Sequence, residues 1–442
     1  MTFKYQYQHK LFYKIVILAE QSGLESFPTI RRIDLYNKPQ CHTIIMFNLK
    51  GATMSFDEAS LKVHRELSGK ISILPKVKIN DIKDLATFYT PGIAAVSKKI
   101  AEKTCNVWKY TSRSNLVAVI SDGSAVLGLG NIGPEAAHPV MAGKAVLFKE
   151  FANIDAFPIC LDTQDPQKII ETCKILAPSF AGINLEDISA PRCFEIEREL
   201  QDLKIPVMHD DQHGTAVVVL AGLINATKVT GKNLSKSKIV IVGVGAAGTA
   251  IAHMVNDFTK GKAEIIAVNR QGMVCNINDL ENRKICEAVN KNKISGKLED
   301  ALLGADIFIG VSAAGVLKKS LVSKMAPNPI IFAMANPVPE IMPNEAKEAG
   351  AMIVATGRSD FANQVNNVLA FPGIFRGALD AKATKISKEM LLAAAHALAN
   401  CVKNPTKEKI LPNPLDKSVA LTIAEAVKKE AIKQKIAREA CR

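Results

Sequence analysis

The chain has 442 residues, with 56 Lys+Arg against 43 Asp+Glu, a net charge of +13 and 48% hydrophobic residues. At ~100–200 residues per domain this is room for two or three domains, and so ordinary a composition excludes a mainly disordered chain. The longest apolar stretch, Ile239 to Val255, is broken by glycines, Thr249 and His253, so it reads as strand–turn–helix rather than as a membrane span. The basic balance suits anionic partners. Aromatics are only 5%, however, and no block of Lys/Arg or aromatic–basic platform occurs, so neither nucleic acid nor membrane is expected as a partner. The nine cysteines are irregularly spaced, with no C-x-x-C, which argues against a disulfide framework or zinc ribbon and for a reducing, cytoplasmic setting.

Residues 1–53 differ from the rest. They hold Tyr5, Tyr7, Tyr13 and Tyr36, and their apolar run Ile15 to Ala19 is too short for a secretory h-region. They read as a poorly structured extension, or as sequence upstream of a start at Met54. From there the pattern is regular. Phe56 to Leu67 is expected to be an amphipathic helix, and Pro91-Gly92 opens a second, Ile93 to Lys103. Leu116 to Ile120 and Ala125 to Leu129 suggest a hairpin around Asp122-Gly123. Ala136 to Phe151 reads as a helix. Strands and helices then alternate: Ala156 to Leu161, Pro166 to Leu176, Phe180 to Leu185, Pro191 to Leu203, Pro206 to His209, Thr215 to Thr230. The second half continues with strands Lys238 to Val242, Glu264 to Val268, Ala305 to Gly310 and Ile330 to Ala333, a helix Gly248 to Thr259, and a long basic helix from Asp416 to Glu439. Such alternation predicts an α/β fold of parallel sheets flanked by helices.

Gly243-Val244-Gly245-Ala246-Ala247-Gly248 fits G-x-G-x-x-G, with an apolar strand before it and an apolar helix after it. The glycines permit a tight turn and close backbone approach, and the helix N-terminus faces a pyrophosphate. A second match, Gly128 to Gly133, follows the expected hairpin, and Pro134 and Pro139 interrupt what comes next, so it reads as a substrate-side loop. The strand after the first match ends in Asn269-Arg270, where an NAD site carries an acid. Asn269 would not repel a 2′-phosphate and Arg270 could pair with it, which favours NADP over NAD.

Glu186-Asp187 follow one strand and Asp210-Asp211 another, so a parallel sheet gathers four carboxylates at one edge. They fit a hard divalent cation, Mg²⁺ or Mn²⁺; alternatively, Asp187 and Asp211 cap the helices that follow them. His209-Asp210-Asp211-Gln212-His213 imitates H-E-x-x-H, but His209 ends a strand, so the two imidazoles need not share a helical face. Lys144 has Val140, Met141, Leu147 and Phe148 at helical spacing, placing it on a buried stripe. Burial lowers an ammonium pKa and fits Lys144 for a general base; snorkelling to water is the plain alternative. Lys149 has a smaller, less apolar set of neighbours and is expected outside. Tyr89 before a helix start, Asn336 after a strand and Asn367 in a loop read as turn residues. The amides of Asn336 and Asn367 could also hold carboxylates and a nicotinamide carboxamide.

These stretches resemble the malic enzyme family in its short bacterial form. The matching residues are Tyr89-Thr-Pro-Gly-Ile, Ser121-Asp-Gly with Gly128-Leu-Gly130, Gly143-Lys144-Ala and Glu186-Asp187-Ile with Ala190-Pro. Further on come His209 to Thr215, the Gly243 fingerprint, Ala333-Met-Ala-Asn-Pro and Asn363-Gln-Val-Asn-Asn-Val, all in the family's order from about Met54 on. The resemblance implies a substrate domain with a parallel sheet over 54–212 followed by a Rossmann-type NAD(P)-binding domain over 213–442, and divalent-metal-dependent oxidative decarboxylation of malate to pyruvate, with NADP or NAD as cofactor. It implies Lys144 as base, Tyr89 as acid, Glu186, Asp187 and Asp211 as metal ligands with Asp210 in support, and Asn336 and Asn367 as substrate or nicotinamide contacts. A redox-neutral decarboxylase of the same fold is the alternative, and a homodimer or higher homo-oligomer is implied. Two departures stand out. Ser124-Ala125 occupy the place of an arginine found in animal malic enzymes, so carboxylate anchoring must differ. The phosphotransacetylase-like tail of longer bacterial forms is missing, so regulation through it is not expected.

Overall fold

The computed structural model describes residues 55–274 and 283–438. The chain divides into two units between Lys62 and Val63. The extension 1–53 lies outside the described residues. Of the first unit, residues 55–62 open a helix, Phe56–Leu67. The Glu58 carboxylate accepts from Ser55 N at 3.0 Å while the Ser55 hydroxyl accepts from Glu58 N at 3.2 Å, a reciprocal N-terminal cap.

The second unit is built on two parallel sheets. The first contains β1 (Leu116–Ser121), β2 (Asp155–Cys160), β3 (Gly182–Leu185) and β4 (Val207–His209) in the order β2-β1-β3-β4. The second contains β5 (Lys238–Val242), β6 (Glu264–Val268), β7 (Ile307–Gly310), β8 (Ile330–Ala333) and β9 (Ile353–Thr356) in the order β6-β5-β7-β8-β9. Runs such as Val117-Ala118-Val119-Ile120 and Ile239-Val240-Ile241 are wholly buried, because helices cover both faces. The largest core cluster runs from β1 and β5 through the helix Asp210–Thr230 to the helices Phe371–Asp380, Lys388–Asn400 and Lys417–Lys433. Phe148 of the helix Gly133–Ala152 meets Phe371 and Phe375 edge-on, with centroids 4.8 and 5.3 Å apart.

The α/β class and the succession of parallel sheets agree with the sequence. Four local expectations are corrected. There is no hairpin at Asp122: β1 pairs in parallel with β2 and β3, and Ala125–Leu129 contributes only an isolated bridge between Val126 and Gly130. An antiparallel partner would have displaced β2 or β3 from β1. The following helix starts at Gly133 and continues through Pro139, because burial of Met141, Ala145 and Phe148 outweighs the one backbone bond the proline removes. The helix expected from Thr215 begins at Asp210, so the two aspartates lie in its first turn. Asp416 is the N-cap of the last helix, which stops at Lys433.

Cys160, Cys173, Cys193 and Cys401 are free thiols. No described helix is long and apolar enough to cross a membrane.

Candidate active site

In both sheets the chain leaves the first strand to one side and returns on the other, between β1 and β3 and between β5 and β7. Ligands bind in the crevice that such a reversal opens at strand C-terminal ends. At the first sheet, the loops after β1, β3 and β4 bring Asp122, Glu186-Asp187 and Asp210-Asp211 there. The loops are tied together: Glu186 N donates to Ile120 O and Ala125 N to Asp187 O, each at 2.9 Å. Ser189 N donates to Ser124 Oγ at 2.9 Å.

Lys144 arrives from the helix Gly133–Ala152 and is only 8% exposed, so it does not snorkel. Its ammonium forms ion pairs with Asp210 and, at 3.0 Å, with Glu186, and lies 4.4 Å from the Phe371 ring centroid. Burial was expected to lower its pKa. Burial does oppose the charge, but Asp210, Glu186 and Asp211 outweigh it and hold the ammonium above its ordinary range. Lys149, on the same helix, pairs with Asp155 at 2.8 Å near water.

Oxygens of Glu186, Asp187 and Asp211 all lie within 4.8 Å of one another. Asp187 N donates to Asp211 Oδ2 at 2.8 Å, and Asn184 Nδ2 to Glu186 Oε2 at 2.8 Å. Asp187 Oδ2 and Asp210 Oδ1 are buried without a hydrogen-bond partner among the described residues. Burial and mutual repulsion push Asp187 up to about 9, and burial pushes Glu186 and Asp210 up to about 7. Three converging carboxylates, one with an orphaned buried oxygen, fit a hard divalent cation held by oxygen ligands. The capping alternative fails: neither the helix Arg192–Glu199 nor the helix Asp210–Thr230 has a side-chain cap bond at its N-cap residue. Nor is the His-Asp-Asp-Gln-His run a zinc site. His209 ends β4, while His213 pairs with Glu197 at 3.0 Å.

At the second sheet Gly243 has φ +107°, and a Cβ there would stand 2.5 Å from Val311 O. A Cβ on Gly248 would collide with Gly243 O. Gly245, by contrast, has open space on its Cβ side, and the helix Ala246–Phe258 starts with no side-chain cap bond. A tight turn, an open face and free amides at Ala246 and Ala247 are what a pyrophosphate needs. Asn269 Oδ1 accepts from Gln271 N and Gly272 N, closing a turn after β6 that leaves Arg270 exposed. Asn336 follows β8 with Nδ2 3.4 Å from Met334 O, and a Cβ on Gly128 would meet Asn336 O at 3.6 Å. The second glycine run therefore faces the cofactor sheet from the substrate side. Asn367 is brought to the first cluster: a Cβ on Gly214 would meet both Asp210 and the Asn367 Cβ, the latter at 3.4 Å. Tyr89 ends the helix Ile82–Phe88 and is 65% exposed.

Three contributors escaped the sequence reading. Asn184, which holds Glu186, was visible as a polar residue inside an apolar strand. Glu197 accepts from His209 N at 2.9 Å, from Gln212 Nε2 at 3.3 Å and from His213. Its position on an amphipathic helix gave no sign of this. Phe371 comes from far along the chain and had no local signal.

The family model for the malic enzyme N-terminal domain matches residues 68–201, and that for the malic enzyme NAD binding domain matches residues 212–432. The bifunctional malic/malolactic enzyme of Bacillus subtilis is 52% identical, over 87% of this chain and 95% of its own length. The NADP-dependent malic enzyme of Halomonas elongata is 43% identical, over 86% and 94%. The crystal structure of an NAD-dependent malic enzyme from Thermotoga maritima superposes with a TM-score of 0.80 at 51% identity, over 84% of this chain and 98% of that one. With a carboxylate cluster beside a buried lysine at one sheet edge and a glycine cradle at the next, the chain belongs to the malic enzyme family.

Proposed function

We propose that this chain catalyses the oxidative decarboxylation of malate to pyruvate and CO₂ with reduction of NAD(P)⁺. The observation that carries this reading is the buried Lys144 bound to Asp210 and Glu186, directly beside the converging oxygens of Glu186, Asp187 and Asp211. Those three residues would hold Mg²⁺ or Mn²⁺. The bound ion would polarise the C2 oxygen, and the nicotinamide would accept the C2 hydride. Lys144 and Asp210 act as one proton-accepting unit for the malate hydroxyl: the ammonium is poised between the substrate and a carboxylate that titrates near neutrality. Tyr89 donates the proton that enolpyruvate takes at C3. Asn367, beside Asp210, orients the substrate, and Asn336 bridges substrate and nicotinamide. Phe371 keeps water from one side of the lysine.

NADP is the proposed preference, supported by the absence of an acid after β6 and by the exposed Arg270. The domains are assigned as 54–212 for substrate and metal and 213–442 for cofactor, with a cytoplasmic setting that suits the free thiols. A homodimer or higher homo-oligomer is part of the reading. Ile73, Leu74, Ile79 and Ile82 are 58–81% exposed, and the helices Ile82–Phe88 and Ile93–Glu102 bury none of their residues.

The test follows reduced nicotinamide with malate and Mn²⁺, with NAD and NADP in parallel and pyruvate assayed at the end. Reduction matched by pyruvate supports the reaction; folded, metal-loaded protein that reduces neither cofactor sinks it. The second reading, redox-neutral conversion of malate to lactate, is favoured by the similarity to the bifunctional malic/malolactic enzyme of Bacillus subtilis. It predicts malate loss without net reduced cofactor.

A further inference from the structure

We propose that Arg192 is the cation that binds the carboxylate of the substrate left free by the metal ligands. The inference rests on the malate reading above and adds a residue that neither the sequence motifs nor the comparisons assign.

Position comes first. Arg192 opens the helix Arg192–Glu199, on the loop that carries Asp187 out of β3. That loop is bonded to the loop after β1 through Ala125 N to Asp187 O and Ser189 N to Ser124 Oγ. The guanidinium therefore stands at the β1/β3 crevice, on the metal ligands' own loop.

Its bonding is incomplete. Nη2 reaches Asp122 Oδ2 at 3.4 Å and Gln164 Oε1 at 3.4 Å, both at the far end of hydrogen-bond range. Nε is buried and has no hydrogen-bond partner among the described residues. A guanidinium presents its donors in a rigid fork that matches a carboxylate with two parallel bonds. Asp122 does not use that fork, because its Oδ1 is already occupied by Ser124 N at 2.9 Å and Ser124 Oγ at 2.6 Å. Asp122 and Gln164 aim the arginine and leave donors over.

Charge gives the need. The crevice holds Asp122, Glu186, Asp187, Asp210 and Asp211, and Lys144 is committed to two of them. A dicarboxylate entering here meets mostly negative neighbours. One end can share the metal; the other needs a cation with free donors, and Arg192 supplies it. In this chain Ser124 supports Asp122 rather than contacting an anion, so the positive charge comes from the β3 side of the crevice instead of the β1 side.

The test compares wild type, Arg192→Gln and Arg192→Lys in metal-loaded protein. Calorimetric binding of malate is set against lactate, a 2-hydroxy acid lacking the second carboxylate, and steady-state constants are taken for malate and NAD(P). Arg192→Gln is expected to weaken malate binding and raise its KM by roughly 10–100-fold. Lactate binding and the NAD(P) KM should stay within about threefold, and Arg192→Lys should fall between. Malate affinity unchanged in Arg192→Gln overturns the proposal. So does an equal loss of malate, lactate and cofactor affinity with a lowered melting temperature, which marks a structural brace. Wild-type protein that binds malate without reducing cofactor overturns the reaction proposed above, while the malate–lactate comparison still decides on Arg192.

Discussion

The two sheet edges are built by opposite means. The edge of β1, β3 and β4 works with charged side chains buried in one another's fields: Lys144, Glu186, Asp187, Asp210 and Asp211. The edge of β5 to β8 works with missing side chains, where Gly243 and Gly248 admit backbone that any Cβ would push away. At the first edge a substitution therefore removes chemistry, and at the second it adds an obstruction. The first should respond to pH and metal; the second should not.

Lys144→Ala should break the first edge most completely. Loss of the proton-accepting pair is expected to cut malate turnover by ~10³-fold or more, with partial rescue by small amines, while NAD(P) still binds. Full turnover in this variant would exclude Lys144 as the base. Its sister on the same helix sharpens the point: Lys149 lies near water beside Asp155, and Lys149→Ala should leave turnover unchanged.

Gly248→Ala is the matching lesion at the second edge. The new Cβ would strike Gly243 O, so the KM for NAD(P) should rise at least ~10-fold, and the domain should lose about 1–3 kcal/mol. Metal binding, read by calorimetry, should be untouched; a parallel loss of metal affinity would show that the edges are not independent.

Asp211→Ala should raise the Mn²⁺ concentration needed for half activity by roughly 10–100-fold, in line with losing one oxygen ligand. An unchanged metal titration removes Asp211 from the ligand set.

The carboxylates also make a stability prediction. Glu186, Asp187 and Asp210 have folded pKa values raised by burial to between about 7 and 9, against about 4 when unfolded. Over that interval the folded protein binds more protons than the unfolded chain, so metal-free stability falls as pH rises. Mn²⁺ competes with those protons, so the melting-temperature gain it gives should be larger near pH 8 than near pH 5.5. A gain independent of pH would mean that the ion binds elsewhere.

The smallest effect expected is at Arg270. Arg270→Ser should shift the NADP/NAD ratio of kcat/KM toward NAD by about 10-fold, the worth of one exposed charge–phosphate contact. An unaltered ratio would leave the cofactor preference to other groups.

Much of this was legible in the sequence because strand ends and their next residues are local. Strand Lys238–Val242 with its glycines, and Glu186-Asp187 after an apolar run, needed no knowledge of distant residues. Lys144 was legible as buried but not as charged, since helical spacing shows the apolar neighbours on its own helix and is silent about carboxylates arriving from β3 and β4. The false hairpin at Asp122 arose because Asp-Gly is a turn signal in either topology. Only pairing partners separated by a whole crossover decide between them. Glu197 and Phe371 were invisible for the same reason.

Phe371 carries one more consequence. It and Phe375 close over Phe148, and Lys417 reaches Glu150, so the helix bearing Lys144 is finished by residues more than two hundred positions further along the chain. On a ribosome the first sheet emerges complete in its strands yet with one wall of its lysine still open to water. The lysine acquires its dry surroundings only when these late helices dock, so its environment depends on contacts of long sequence separation.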